Sequence, residues 1–306
     1  MTESSTSTLH IPVLLREAVD ALAVKPGGRY VDGTLGRAGH TREIIARGGS
    51  VLGIDRDAQA IDEAGGTEGL VAVRGRHGDI KEIADENGWN EVDGVLLDLG
   101  VSSPQLDDAG RGFSFLREGS LDMRMDRSDA LTAADIVNSE GEDDLAAIFR
   151  DLGEEPNARR IARAIVRRRE SRGRIETTTE LADVVAGAVG RKGPRHPATR
   201  VFQALRMAVN DELGELDRAL EGGLAILRPG GRFAVITFES LSDRKVKRFF
   251  SSHVGRMRSL QAGGEEWCGE EPRARMVTRR AVTPGEAEMA ANPRSRSAKL
   301  RAIERT

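Results

Sequence analysis

Apolar residues fall in two alternating rhythms over the first hundred positions. Short β-type runs at Tyr30-Val31, Val51 to Ile54 and Leu70 to Val73 are separated by stretches of helical spacing around Glu43 and Ala58. That alternation predicts βαβ units and a parallel sheet. A fourth run, Val92 to Leu99 (VDGVLLDL), is almost continuously apolar, as a strand covered by helices on both faces should be. From Thr132 to Arg191 the spacing is helical, with breaks at Gly153 to Pro156, Arg172 to Arg174 and Gly190 to Pro197. One long helix is predicted from Thr199, where Phe202, Leu205, Val209, Leu213, Leu216 and Leu220 recur at spacings of three and four. A strand returns only at Arg232 to Phe238 (RFAVITF), after LRPGG.

A crossover between parallel strands normally takes one helix and short loops. The chain between Asp98 and Arg232 is far too long for that. The pattern therefore predicts an α/β sheet domain, discontinuous over 9–105 and 212–306, interrupted by an all-helical domain at 106–211. The Ser- and Thr-rich tail at 1–8 is expected to be disordered.

Composition narrows the function classes. The chain has 306 residues and a single cysteine, Cys268, which excludes an intramolecular disulfide and any multi-cysteine metal site. His40 and His196 stand without partners at metal-ligand spacing, so no metal is expected. No signal-peptide pattern opens the chain and no apolar run reaches membrane-span length. A cytoplasmic protein without a membrane partner is the expectation. The net charge of −3 hides a strong asymmetry. Between Pro156 and Asn210 there are thirteen Lys and Arg against four acids, so the remainder of the chain is decidedly acidic.

Three stretches carry candidate chemistry. The first is YVDGTLGRAGH, Tyr30 to His40, where a strand ends at Asp32 and runs into a turn with Gly33, Gly36 and Gly39. Glycines at a strand-to-helix junction suit a nucleotide-like ligand. Their spacing is not the G-x-G-x-x-G of a dinucleotide site, and Asp32 precedes them. Asp55 closes the next strand, where a carboxylate suits both hydroxyls of an adenosine ribose. The second stretch is the end of the fourth strand, Asp98 followed by Ser102, Ser103, Pro104 and Gln105, whose neutral acceptors and amide suit the orientation of a base amino group. The third is Asn157 to Arg174. Arg159, Arg163 and Arg167 form one stripe of a helix, opposite an apolar stripe of Ala158, Ile161, Ala162 and Ile165. Eight arginines against the single Glu170 within that segment point to an external polyanion. Aromatic residues are only 4% of the chain, so backbone contacts rather than extensive base stacking should dominate.

Taken together, HIPVLLREAVDAL, VDGTLGRAGHTREI, GIDRDAQAI, LLDLGVSSPQLDDAGRGFSF, GSLDMRMD, HPATRVFQALRMAVNDEL, LRPGGRFAVITFESLSDR and NPRSRSAKLR resemble the bacterial small-subunit ribosomal RNA methyltransferases that modify N4 of a cytosine in the decoding region. The resemblance covers nearly the whole chain. It implies a Rossmann-like methyltransferase sheet with an inserted helical substrate domain, S-adenosylmethionine as methyl donor, and 16S ribosomal RNA, within the small subunit, as partner. The family's cofactor contacts fall on Ala38, Gly39, His40, Asp55, Ile80, Asp98 and Gln105. Ile80 stands where relatives often carry Phe, and Glu239 where they commonly carry His. No catalytic base is assigned. Two other readings differ in class: a non-catalytic RNA-binding assembly factor, and an NAD-dependent oxidoreductase, which the glycine spacing disfavours.

Overall fold

The computed structural model describes residues 12–100, 103–191, 193, 195–260, 263–268 and 272–306. The tail at 1–8 and Ser102 lie outside them. The chain divides into two compact units, Met1–Gly100 with Gly214–Thr306, and Val101–Leu213. These bounds put Gln105 in the second unit.

The amino-terminal part of the first unit comprises α1 (Leu15–Leu22), β1 (Arg29–Asp32), α2 (Gly39–Ala46), β2 (Ser50–Asp55), α3 (Ala58–Ala64), β3 (Leu70–Arg74), α4 (Ile80–Glu86) and β4 (Val92–Leu99). The second unit holds α5 (Ser103–Asp107), α6 (Ala133–Ser139), α7 (Glu142–Asp151), α8 (Ala158–Arg172), α9 (Thr178–Val189) and α10 (Thr199–Val209). α11 (Glu212–Ile226) begins at the boundary and returns the chain to the first unit. There follow β5 (Leu227–Thr237), α12 (Ser240–Val254), β6 (Arg256–Ser259), β7 (Glu265–Cys268), β8 (Ala274–Met276), α13 (Glu286–Ala291) and β9 (Lys299–Arg305).

Seven strands form one sheet in the order β3-β2-β1-β4-β5-β9-β8. The first five are parallel neighbours, whereas β9 runs antiparallel to both β5 and β8. The order reverses between β1 and β4, because β1 leads outward to β2 and β3 while β4 starts the other half. Ligands of open parallel sheets bind outside the carboxyl ends of the strands at such a reversal.

Alternation along the strands divides the core into two layers. Val31, Leu52 and Leu97 pack with Leu216, Leu220, Val246 and Phe250 from α11 and α12. Their chain neighbours Tyr30, Val51 and Leu96 pack on the opposite face with Ala18, Leu22 and Ile44 from α1 and α2. Successive residues of a strand point to opposite sides, so a run with no polar alternation requires both layers. The second unit has its own core. It includes Ile136, Leu145, Phe149, Ile161, Ile165, Leu181, Val185, Phe202 and Leu205. The buried residues of α8 are Ala158, Ile161, Ala162 and Ile165, the stripe read from the spacing.

Two expectations are corrected. The single long helix is two, α10 and α11, broken at Asn210 and Asp211. Asn210 is buried, and its side chain accepts the Met125 N–H (2.8 Å) and donates to the carbonyls of Met123 and Arg206 (2.8 Å each). Asp211 takes a left-handed φ of 47°, which ends a helix. The returning strand also begins earlier than expected, at Leu227 rather than Arg232. The basic stretch Asn292 to Arg305 (NPRSRSAKLRAIER) ends in β9, an interior strand between β5 and β8.

Candidate functional site

The glycine turn is shaped by packing and by a carboxylate. A Cβ on Gly33 would lie 2.5 Å from Leu97 Cδ2, and one on Gly39 would lie 2.2 Å from Pro12 Cγ. Both positions therefore need glycine so that β4 and the segment before α1 can close on the turn. Gly36 has φ +48°, the left-handed region that favours glycine, and its N–H donates to Asp55 Oδ2 at 2.8 Å. Ala38 caps α2 in the same region, φ 57°, with its side chain fully buried.

Three carboxylates stand at the carboxyl ends of three adjacent strands. Asp32 ends β1, its oxygens taken by the Thr34 N–H (3.1 Å) and the Thr41 hydroxyl (2.7 Å). Asp55 ends β2, one oxygen receiving Gly36 N–H and the other Asp57 N–H (2.9 Å). Asp98, near the end of β4, differs from both. Its own N–H donates to Thr34 Oγ1 (2.6 Å), but Oδ1 is buried with no hydrogen-bond partner, and Oδ2 faces His40 Nδ1 at 3.8 Å. Among the described residues no Lys or Arg forms an ion pair with any of the three. Burial pushes all three carboxyls above the usual range, Asp98 to about 6, with Asp32 adding repulsion and His40 opposing it. Removing a carboxylate from water without a counter-charge disfavours its ionised form.

His40 is buried, and its Nε2 lies 3.1 Å from the Val13 carbonyl oxygen. A carbonyl only accepts, so Nε2 carries the hydrogen and Nδ1 is the atom turned to Asp98. This edge is an acidic, hydrogen-bond-accepting site. It suits a cationic nucleoside and repels a pyrophosphate.

Residues 7–306 match the family model described as the MraW methylase family. The chain belongs to that family. A curated relative from Symbiobacterium thermophilum, "Ribosomal RNA small subunit methyltransferase H", is 48% identical over 96% of each chain. Another of that name from Methylobacterium nodulans is 52% identical over 97% of this chain and 90% of its own. Among solved structures, an rRNA methylase from Streptococcus thermophilus overlaps 97% of this chain and 98% of its own, at 11% identity and a TM-score of 0.39. The methyl donor of this methylase is S-adenosylmethionine. The residues present fit it: an uncompensated acidic edge for a sulfonium and an ammonium, and Asp55 oxygens that each keep a lone pair after accepting one N–H.

The structure of the methylase gathers Ala38, Gly39, His40, Asp55 and Asp98 along the carboxyl edge of β1, β2 and β4. Ile80 opens α4 with its side chain wholly in the core; its Cδ1 lies 3.6 Å from where a Gly33 Cβ would be. Gln105 is buried on α5 in the other unit. Glu239 caps α12, just after β5. Sequence reasoning passed over His77. It follows β3, and its Nε2 is buried without a hydrogen-bond partner. Burial, helped by Arg56, pushes its ring down to about 4, so it is neutral at physiological pH. The turn beneath it is locked by Glu215, which is buried and accepts Gly78 N–H (2.9 Å), Arg76 Nη1 (3.2 Å) and Arg218 Nη2 (2.9 Å). The only advance signal was its place after the third strand.

In the helical unit the arginines of α8 separate by role. Arg169 donates to the carbonyls of Val137 (2.7 Å) and Glu140 (2.6 Å), and Arg168 pairs with Glu180 at 3.3 Å. Arg163 is exposed but pairs with Glu142 at 3.2 Å. Arg159 and Arg167 are exposed, and neither forms an ion pair among the described residues. Those residues contain no group of three or more His, Cys, Asp or Glu arranged for a metal ion. None of their helices is long and apolar enough to cross a membrane.

Proposed function

We propose that the carboxyl edge of β1, β2 and β4 is where this methylase methylates N4 of a cytosine in 16S ribosomal RNA, and that the exposed arginines of α8 hold the RNA, within the small subunit. The reaction is that of the family and of its curated relatives. The observation that carries the placement is the row of three carboxylates with no Lys or Arg partner among the described residues, next to a glycine turn at the strand-order reversal. A dinucleotide would bring two phosphates into that row. A sulfonium bearing an α-ammonium group brings opposite charge, so the edge selects against NAD by Coulombic sign as well as by glycine spacing.

The bound donor supplies a methyl group already activated by the sulfonium. The rest falls to the protein. Asp55 takes the ribose hydroxyls, with Gly36 and Asp57 N–H groups fixing its carboxylate. Ala38, Gly39 and His40 line the turn, and Asp98 faces the reacting end, because β4 lies on the far side of β1 from β2. Gln105, expected among the cofactor contacts, belongs to the helical unit. The amino lone pair of cytosine is conjugated into its ring, so the site must align that nitrogen and exclude water from it. The base must be unstacked to enter. Arg159 and Arg167 supply phosphate contacts that position the strand without reading its sequence. Such a protein works in the cytoplasm.

The test is mass spectrometry of ribosomal RNA from cells lacking the protein, with labelled methyl transfer to purified small subunits. Loss of one N4-methylcytosine, restored by the purified protein, is expected. RNA binding without transfer would favour the assembly-factor reading.

A further inference from the structure

Two of the three edge carboxylates are already committed. Both oxygens of Asp32 and both of Asp55 accept hydrogen bonds from the protein. Among the described residues neither oxygen of Asp98 does, although Oδ1 is buried. A buried acceptor left unsatisfied costs about 1–3 kcal/mol and persists where function requires it. The side chain is not sealed: 23% of it is exposed. Among the described residues the groups that face it are few. From β1 and its turn come Asp32 and the Thr34 hydroxyl, and from α2 comes His40. On β5, Asp98 pairs with the neutral Ile236.

We propose that Asp98 is the proton acceptor of the methyl transfer, and that by holding this proton it makes the pocket distinguish the cationic donor from its neutral thioether product, with His40 as the positioning residue. This rests on the function proposed above. In the step, the N4 lone pair forms the new N–C bond, the C–S electron pair stays on sulfur, and one N4 proton passes to Asp98 Oδ2. Charge stays balanced throughout. Before transfer a sulfonium faces a carboxylate, and afterwards a thioether faces a carboxylic acid. The other two carboxylates are poorly suited, since both oxygens of each already accept a hydrogen bond from the protein and a proton there would weaken a contact that shapes the turn. His40, anchored through Nε2 to the Val13 carbonyl, fixes Nδ1 3.8 Å from Oδ2, beyond hydrogen-bond reach, and leaves that oxygen free to receive the proton.

The consequence is a difference in proton linkage between two ligands that differ by one methyl group. Binding of S-adenosylhomocysteine removes Asp98 from water without supplying the sulfonium, so it should take up close to one proton near pH 7. Binding of S-adenosylmethionine should take up none, and should release protons near pH 6. The ratio of the two affinities should then change by about tenfold per pH unit where the difference is a full proton. Calorimetric titration of both ligands into the full-length protein, in buffers of low and high ionisation enthalpy from pH 5.5 to 8, measures this directly. In Asp98→Asn the difference should vanish. Should that variant fail to fold, His40→Gln serves: it removes a neighbour that favours the ionised carboxylate and should move the midpoint of uptake to higher pH, which loss of packing alone would not do. Equal proton uptake for both ligands in the wild type, a difference that survives in Asp98→Asn, or an unmoved midpoint in His40→Gln would each overturn the proposal. Wild-type protein that binds neither ligand and transfers no label to small subunits would instead overturn the underlying function.

Discussion

Replacing Asp98 by Asn should stabilise the ligand-free protein, and by an amount that depends on pH. Burial raises this carboxyl from 3.8 to about 6. A raised folded-state pKa means that the protonated form contributes stability, fully present below the unfolded value and lost as pH rises through the folded one. The window therefore runs from pH 3.8 to just above 6. A shift of that size corresponds to about 3 kcal/mol, of which about 1.4 kcal/mol is still to be lost between pH 5 and pH 7.5. Asparagine fills the same volume and never ionises. Its stability relative to wild type should thus improve by about 1.4 kcal/mol over that interval. The assay is urea unfolding of both proteins at pH 5, 6, 7 and 7.5, followed by tryptophan fluorescence. Trp89 is buried in the core of the sheet-containing unit, so its signal reports the relevant core. Stability curves that run parallel across this range would refute the reasoning, because a carboxylate that ionises in the fold without cost contributes no pH dependence.

Four further outcomes are expected. Asp55→Ala should weaken S-adenosylmethionine binding by about 10- to 100-fold, the loss of charge-assisted hydrogen bonds to the ribose; unchanged affinity by calorimetry would remove Asp55 from the site. Replacing Arg159 and Arg167 together with Glu should lower methylation of RNA, flatten the salt dependence of RNA binding by about two phosphate contacts, and leave cofactor affinity intact. Arg163→Glu should cost less, since Arg163 already pairs with Glu142, and equal losses from the single and double variants would contradict this sorting. Gly39→Ala should destabilise the fold by about 1–3 kcal/mol through the clash with Pro12, as expected of overpacking, and a melting temperature within a degree of wild type would show that Pro12 moves aside freely.

Legibility in the sequence followed the range of the interaction. β1, β2 and β4 were readable because each is a short apolar run whose burial on two faces leaves no polar alternation, and β3 because its run is apolar, although this edge strand is only partly buried. The breaks between α7, α8 and α9 were readable because Gly and Pro act locally. What stopped the helix at Asn210 was not local: its side chain is claimed by Met123 and Met125, more than eighty residues earlier, and the apolar spacing of three and four runs through the break undisturbed. β9 was hidden for a related reason. KLRAIER buries Leu300, Ala302 and Ile303, while Arg301 spends its charge on Asp243 at 2.7 Å, so a basic composition concealed an interior strand. His77 was passed over because a neutral, buried histidine follows from its surroundings, not from its neighbours in sequence.

The glycine turn lies at the strand-to-helix junction that the sequence predicts, but its glycines have a different cause. Glycines beside a nucleotide site are ordinarily explained by close approach of backbone to ligand. Here Gly33 and Gly39 are required by Leu97 and Pro12, and Gly36 by a left-handed backbone that aims its N–H at Asp55. A phosphate-binding turn spends its N–H groups on the ligand, whereas this turn spends one on a carboxylate that is thereby held for the ligand. The sign of the site is inverted, from a donor-rich nest for an anion to an acceptor-rich edge for a cation. Glycine count alone cannot separate the two; the acids that end β1, β2 and β4 can.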